Sequence, residues 1–572
     1  MKKLLIKLLF CLTFCFCALS LVACETQPTK HSESESLSAS QSEKDEESVD
    51  ETESNSESEK DEESINETES NSESEKDEES ESEDLPIKNS LLEFTKITGR
   101  AEYAVTGLGE EDSPEVIIPS TYKGLPVTEI ATSAFSAIKN NECENIVSVV
   151  IPNSVKVINH GAFYQCVNLA SVEIGKRLTT IDFNAFYSCK SLTSINLPDS
   201  LQSLGGGVFE DCIQLESITI PNGVTTINPR LFFNCTNLKN VELGDNVTDI
   251  ESEAFRGCNA LTDLSLPDGI ITIKNLAFYE CDGLKKITLP SNLQRIENCA
   301  FTLCMDLTSI DIPQSVTHLG SEAFKDCISL SSVSIGDNIA VLGYSVFDNT
   351  ALFNKSSAWE NNVLYVGKYL VSVKKTISGA YTVKDGTRCI PYCAFENCYN
   401  LTEITIPDSV IFLGSSVFKA CSSLTSAVIG NGVTEIPYEA FYGCSKLSNV
   451  KFGTEVTCIA QQAFASCKSL TTIIIPDSVT ELRERAFSYS GLKSIVIGKG
   501  IKDIYSYTFS GTSITAVYYT GTYREWLTVS VDPNGNSCIN SATEYFYVEN
   551  EADVPDDGGN YWRYVNDSPT PW

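Results

Sequence analysis

The sequence predicts a repeat solenoid made of short parallel β-strands and turns. A phenylalanine recurs every 23 residues over Phe163–Phe347 and again over Phe395–Phe487, and a fixed period of this length is typical of solenoids. Each period contains an alternating apolar run, such as Ile195-Asn-Leu197, which predicts a half-buried strand. Pro or Gly follows the run and ends the strand, because neither residue supports a continuous strand ladder.

The remaining repeat positions predict a second strand and a corner. The repeat reads Leu-x-x-Ile-x-Ile-Pro-x-x-Val-x-x-Ile-x-x-x-Ala-Phe-x-x-Cys-x-x, and Val-x-x-Ile, as in Val247-Thr-Asp-Ile250, forms the second strand. The Ala-Phe pair then turns the chain, and its ring fills the core. The outermost copies, at Phe135 and Phe509, depart from the 23-residue spacing, as expected of terminal turns that lack one neighbour.

At this level of detail the repeat resembles a known family. The core Leu192-Thr-Ser-Ile195-Asn-Leu197 has the leucine-rich-repeat pattern, and the 23-residue version with Ile-Pro and Ala-Phe-x-x-Cys resembles the BspA-like subclass of surface proteins. The resemblance implies a secreted or surface-attached solenoid, of a family often assigned to adhesion or host-protein binding. It implies no catalytic residues.

The N-terminus resembles a bacterial lipoprotein signal. Three lysines within the first seven residues precede the apolar stretch 8–21, which is shorter than the about 20 residues that span a bilayer. It ends in Leu21-Val-Ala-Cys24, which resembles the lipobox and implies a lipidated Cys24 as the first mature residue. The alternative is an ordinary secretory signal. Both interpretations export the protein.

Composition divides the chain further. The chain has a net charge of −36, which argues against a nucleic-acid partner. Residues 25–84 carry 25 Asp/Glu and four Lys, and with so few apolar side chains they are predicted to be a disordered spacer. The predicted segments are a signal peptide over 1–23, an acidic stalk over 24–89, an N-terminal cap with a first imperfect repeat over 90–145, repeats over 146–350, an inserted β-hairpin over 351–388, repeats over 389–515, a C-terminal cap over 516–548 and a tail over 549–572.

The cysteines are predicted to be structural. Twelve of the 22 lie three residues after the repeated Phe, which stacks them in a row rather than in the tetrahedral cluster of a zinc site. We therefore predict buried free thiols, with no metal and no cofactor, although disulfides between neighbouring turns are the alternative. These cysteines are Cys166, Cys189, Cys212, Cys235, Cys258, Cys281, Cys304, Cys327, Cys398, Cys421, Cys444 and Cys467.

Two features are candidates for ligand contact. The outward residue of Ile-x-Ile gives one side chain per turn, and in the second half this strip becomes partly apolar: Thr405, Val428, Lys451, Ile474 and Val496. Stacked exposed apolar residues suggest a contact surface, whereas β-branched residues are also simply good strand formers. The insertion contributes Trp359 and Tyr365 beside a predicted hairpin, where they either contact a ligand or pack locally.

These observations predict a lipid-anchored protein of the bacterial cell surface that binds an extracellular protein or glycan, in adhesion or host interaction. A structural surface component without a specific ligand is the alternative. An extracellular hydrolase is less favoured, because the chain has three His and no Ser-His-Asp neighbourhood or nucleophile elbow.

Overall fold

The computed structural model describes residues 92–109, 113–139, 141–566 and 568–572. The predicted signal peptide, Cys24 and the predicted stalk lie outside these residues. Over the described residues the chain winds into a solenoid in which paired strands of neighbouring turns are about 23 residues apart, and this confirms the predicted fold class. A regular turn contributes to two rows of parallel strands.

The first row of strands comes from the Ile-x-Ile segment of the repeat. Neighbouring strands pair in parallel, for example Ile218 with Val241, and alternate side chains point into the core because a strand has a period of two. The first-row strands are Glu115–Ile117, Ser148–Ile151, Ser171–Ile174, Ser217–Thr219, Asn240–Glu242, Asp263–Ser265, Lys286–Thr288, Ser309–Ile312, Ser332–Ile335, Ser378–Thr382, Asn400–Thr405, Ser426–Val428, Asn449–Lys451, Ile474–Ile475, Ser494–Ile497, Ala516–Tyr519 and Thr543–Tyr547.

The second row comes from the Val-x-x-Ile segment and consists mostly of two-residue strands. All of these two-residue strands except the last, Ser530–Val531, are buried at their second residue, as at Ile250, which pairs with Ile273 of the next turn. The second-row strands are Leu125–Ile130, Val157–Ile158, Thr180–Ile181, Ser203–Leu204, Thr226–Ile227, Asp249–Ile250, Thr272–Ile273, Arg295–Ile296, His318–Leu319, Val341–Leu342, Cys389–Ile390, Phe412–Leu413, Glu435–Ile436, Cys458–Ile459, Glu481–Leu482, Asp503–Ile504 and Ser530–Val531.

The corner after the second row contains two residues in the left-handed conformation. They lie two residues before and two residues after the repeated Phe, and φ is +58° at Arg230 and +57° at Asn234 on either side of Phe232. Left-handed backbone favours Gly and Asn, yet many residue types occupy these two positions. The Ala-Phe pair predicted a corner here, but the sequence pattern did not show that its backbone is left-handed.

The core is built from the positions that the repeat keeps constant. The rings of Phe255, Phe278 and Phe301 stack with centroids 5.1 Å apart and nearly parallel planes. The cysteines three residues later are buried and in no disulfide, which confirms the predicted free thiols. In eleven of the twelve, all except Cys398, Sγ donates to the carbonyl of the Phe in the preceding turn, as from Cys258 Sγ to Phe232 O at 3.2 Å, so the thiol ladder also links the turns.

The predicted hairpin of the insertion is confirmed, but it is packed between the two stretches of repeats rather than standing out from the surface. A short helix, Ala351–Asn354, and a 3-10 turn, Ser356–Ala358, precede the antiparallel strands Trp359–Glu360, Val363–Val366 and Tyr369–Val373. The hairpin separates two core clusters and packs on both. Leu364, Val366, Tyr369 and Val371 join the cluster of the N-terminal repeats, and Val363, Leu370 and Val373 join that of the C-terminal repeats.

Both ends of the solenoid are closed by irregular elements. At the start, Glu93–Lys96 pairs antiparallel with Tyr103–Gly107. Thr121–Tyr122 pairs antiparallel with Leu125–Ile130, which is the first strand of the second row. At the other end the described elements are the short helices Tyr523–Trp526 and Ser537–Ser541, the 3-10 turn Glu551–Asp553, and the antiparallel strands Tyr561–Val565 and Ser568–Pro571. Another 3-10 turn, Asn141–Asn145, precedes the first regular repeats.

Candidate binding surface

The outward side chains of the first row form the predicted strip. Thr405, Val428 and Lys451 are direct partners across neighbouring parallel strands, so their side chains stack along the row. Thr405 and Val428 are half-buried and Lys451 is exposed. Ile474, in the following strand, is 42% exposed. The structure therefore brings four of the five predicted contact residues to one accessible row.

The fifth predicted contact residue, Val496, is not accessible, and its assignment to the strip is wrong. It is fully buried, although its strand partners Ile474 and Tyr518 lie in the same outward row. The C-terminal tail packs on the neighbouring position of the row. Tyr518 contacts the ring of Trp562 edge-on at 5.5 Å, and burial together with the nearby Asp477 carboxylate raises the pKa of Tyr564.

The contact with Tyr518 places the ring of Trp562 on a turn that lies far earlier in the sequence. A repeat pattern does not reveal that a downstream segment folds back on its outward row, so Val496 looked equivalent to Ile474. In the structure the accessible apolar strip ends at Ile474.

The first half of the row has a different chemistry. Its outward side chains bond to one another between turns, as in Thr219 Oγ1 to Glu242 Oε2 at 3.1 Å and Ser334 Oγ to Asp311 Oδ1 at 2.6 Å. A shallow groove of about 570 Å³ lies on this half and is lined by Thr262, Asp263, Leu264, Ser265, Lys285, Lys286 and Thr288. This half therefore presents hydroxyl, carboxylate and amine groups, whereas the second half adds apolar contact.

The two insertion candidates pack within the protein. Trp359 is half-buried, and its Nε1 donates a hydrogen bond to the carbonyl of Phe353 at 2.7 Å. The Lys374 ammonium lies 4.5 Å from the centroid of the Trp359 ring. Tyr365 is half-buried against the C-terminal core cluster, and its hydroxyl lies 2.9 Å from that of Tyr381. These contacts favour the local-packing interpretation for both side chains.

Three exposed tyrosines near the end of the repeats were missed by the sequence reasoning. Tyr489 is 65% exposed, Tyr505 is 45% exposed and Tyr507 is 41% exposed. Tyr489 and Tyr507 occupy the two left-handed corner positions. An aromatic residue at a corner position is a usable sequence signal, but only once the corner geometry is known.

The thiols show little nucleophilic character. Burial raises the pKa of Cys166, Cys189, Cys212, Cys235, Cys258, Cys281, Cys304, Cys398 and Cys467. A protonated, buried thiol is a poor nucleophile and a poor metal ligand. Among the described residues no group of three or more His, Cys, Asp or Glu is arranged to hold a metal ion.

The repeat identifies the family. The family model described as "BspA type Leucine rich repeat region (6 copies)" matches residues 128–262, 248–377 and 386–518, which together make up most of the described solenoid. The chain belongs to the BspA-type leucine-rich repeat family. The BspA-type match spans the turns on both sides of the hairpin, and it confirms the resemblance drawn from the Ile-Pro and Ala-Phe-x-x-Cys pattern.

Solved structures of other leucine-rich repeat proteins are similar to this BspA-type chain. A leucine-rich repeat protein from Bacteroides ovatus is 25% identical, with 78% of this chain and 99% of that chain covered and a TM-score of 0.36. A leucine rich cell surface protein from Faecalibacterium prausnitzii is 24% identical, with 79% and 100% covered and a TM-score of 0.29. A T. pallidum leucine-rich repeat protein is 28% identical, with 43% and 90% covered and a TM-score of 0.29. No curated protein matches the chain.

The described residues contain no helix with the length and apolar character needed to cross a membrane.

Proposed function

We propose that this BspA-type protein is a cell-surface binding protein whose first-row strip contacts an extracellular protein or glycan, in adhesion or host interaction. The observation that carries the proposal is the stacked outward row Thr405–Val428–Lys451, continued by the exposed Ile474. Parallel strands hold these side chains in a fixed row, so a ligand contacts a preorganised surface and loses little affinity to ordering it.

The composition of the strip supports a macromolecular ligand. An exposed isoleucine and a half-buried valine provide apolar area, and Lys451 and Thr405 provide polar groups at their side. Interfaces combine an apolar centre with a polar rim in this manner. The shallow groove on the first half of the row is too open to enclose a small molecule, since small-molecule sites are deep and bury most of the ligand.

Surface attachment through a lipid on Cys24 is part of the same proposal. The supporting observations are the Leu-Val-Ala-Cys sequence at 21–24 and the description of the Faecalibacterium protein as a cell surface protein. A single acyl chain gives only reversible membrane binding. Stable anchoring through Cys24 therefore requires a second chain or another membrane-binding signal. Mass spectrometry of the membrane fraction tests this part: Cys24→Ala is expected to abolish the lipid-dependent mass increase and to release the protein from the membrane.

Binding by the strip is tested with the purified full chain on immobilised fibronectin, laminin and collagen. We expect saturable binding to at least one of these proteins. The variant Lys451→Glu/Ile474→Ser should weaken that binding about tenfold, because it removes central apolar area and reverses a charge.

The matched control is Ile411→Ser. Ile411 is also 42% exposed but lies beside the second row, so its substitution should leave the affinity unchanged. Equal losses in both variants, or none in either, would contradict the assignment of the strip. Self-association of the wild-type chain without any ligand binding, seen by sedimentation, would instead favour a structural surface component.

A further inference from the structure

The first-row sheet ends on an antiparallel strand whose outer edge is a place where another chain could add. This strand, Ser568–Pro571, pairs with Tyr561–Val565, which in turn pairs with the last first-row strand, Thr543–Tyr547. Among the described residues no further strand pairs with Ser568–Pro571. An unpaired edge ordinarily offers a row of backbone N–H and C=O groups, and a strand of another molecule joins such a row readily.

The register of the two antiparallel strands fixes which backbone groups face this edge. The N–H of Trp572 donates to the carbonyl of Tyr561 at 3.0 Å, so it points inward, toward the rest of the sheet. Backbone groups of successive residues point to opposite sides of an antiparallel strand. Thr570 therefore also faces inward, whereas Pro569 and Pro571 face outward.

Both outward positions lack a hydrogen-bond donor, because Pro has no backbone N–H and its ring occupies the place of that hydrogen. From Ser568 to Pro571 the outer edge therefore presents carbonyl oxygens and no donor. A strand added there would lose the bonds that the edge should donate and would meet the two proline rings. The described first-row strands contain no Pro, although the chain has 20, so its place at both outward positions is specific to this edge.

The surroundings of the edge are apolar enough to favour association. On the strand next to it, Tyr564 is 40% exposed and Val565 is 39% exposed. An open strand edge beside exposed apolar side chains is a predicted association site. The partner that fits such an edge is a second copy of the same chain, because two identical edges pair antiparallel about a two-fold axis.

We propose that Pro569 and Pro571 block this edge and thereby keep two copies of the protein from joining through it. The block acts through the backbone of the edge strand, whereas the proposed function concerns the outward side chains of the first row. The inference therefore goes beyond the proposed function and does not depend on it.

The test compares the wild-type full chain with the variant Pro569→Thr/Pro571→Thr by sedimentation velocity over a range of concentrations. Threonine restores both missing donors and favours strands. We expect the variant to dimerise about tenfold more tightly than the wild type, because each copy gains two backbone hydrogen bonds across the edge. In hydrogen exchange the amides at positions 569 and 571 should be exposed at low concentration and protected at high concentration.

The matched control is Ser568→Thr/Thr570→Val, which raises the strand propensity of the same segment at its inward positions and adds no outward donor. It should sediment as the wild type does. An unchanged association of the proline variant overturns the proposal, as do an equal rise in both variants and outward amides that stay exposed at every concentration. If the inward amides of the proline variant lose protection, the strand has frayed, and the single variant Pro571→Thr decides the question by the same measurements. No ligand enters these experiments, so the two proposals fail separately.

Discussion

At the scale of single residues, the constant positions of the repeat make specific contacts between turns. The cysteine is small enough for the core, and its thiol reaches the carbonyl of the preceding Phe, as from Cys281 Sγ to Phe255 O at 3.1 Å. Where serine takes this position, at Ser490, the buried Oγ has no hydrogen-bond partner. A C–O bond is shorter than a C–S bond, so the hydroxyl does not span the same gap. The thiol therefore has a geometric role beyond filling volume.

The left-handed corner predicts opposite effects of glycine substitution on stability at two adjacent residues, Gln461 and Gln462. Gln462 has φ of +58°, whereas Gln461 lies outside the left-handed region. Replacing Gln462 by Gly should stabilise the fold by about 0.5–1 kcal/mol, because glycine removes the left-handed strain and this outweighs its greater entropy when unfolded. Replacing Gln461 by Gly should destabilise it by a similar amount. Urea unfolding followed by circular dichroism measures both, and the same sign for the two variants would contradict the corner geometry.

At the scale of elements, the insertion is a divider between two stretches of solenoid. The ring stack runs from Phe135 to Phe347 and again from Phe395 to Phe509. The hairpin fills the interval, with alternate side chains in two separate core clusters. The run Val363-Leu-Tyr-Val predicted the hairpin strands, because strand and turn preferences are local. It did not predict that both hairpin faces are covered, because the neighbouring turns decide that.

We expect the two stretches of solenoid on either side of the hairpin to unfold in separate transitions. In a repeat protein each turn contacts only its neighbours, so an interruption of the core weakens cooperativity. Calorimetry of the full chain should show two transitions. Phe255→Ala should lower the midpoint of one and Phe441→Ala that of the other, each through a loss of about 3–5 kcal/mol. A single transition that both substitutions shift equally would show that the hairpin couples the stretches.

At the scale of the whole molecule, the buried thiols make stability depend on pH. Burial raises the pKa of the ladder thiols, as at Cys189 and Cys235, whereas an unfolded thiol ionises near pH 8.5. The folded state therefore holds protons that the unfolded state releases at high pH. The contribution of these thiols to stability is fully present below the unfolded pKa and is lost progressively as the pH rises from the unfolded pKa through the raised folded pKa.

The free energy of unfolding should accordingly be level between about pH 6 and 8 with respect to these thiols, and fall above about pH 8.5. Each thiol contributes up to about 1.4 kcal/mol per pH unit. Thermal unfolding under reducing conditions from pH 6 to 9.5 measures the effect. The variant Cys258→Ala/Cys281→Ala should show a shallower decline, and a stability that is level up to pH 9.5 would contradict the role of the buried thiols.

The sequence by itself determined the solenoid, its period, the two strand rows and the buried thiols. Each follows from local spacing, and a one-dimensional array translates local spacing directly into packing between neighbours. The stacked partners Thr405 and Val428 were predictable for the same reason.

Only the tertiary structure decided what is accessible. Val496 has the same repeat position as Ile474, yet it is fully buried, and the next residue of the row, Tyr518, contacts the ring of Trp562 from the tail. Tyr489 and Tyr507 look like variable positions, yet the corner geometry and the glycines of the next turns hold their rings at the surface. Burial of a side chain depends on every segment that reaches it, including segments far away in sequence, and a repeat pattern records only the contacts between adjacent turns.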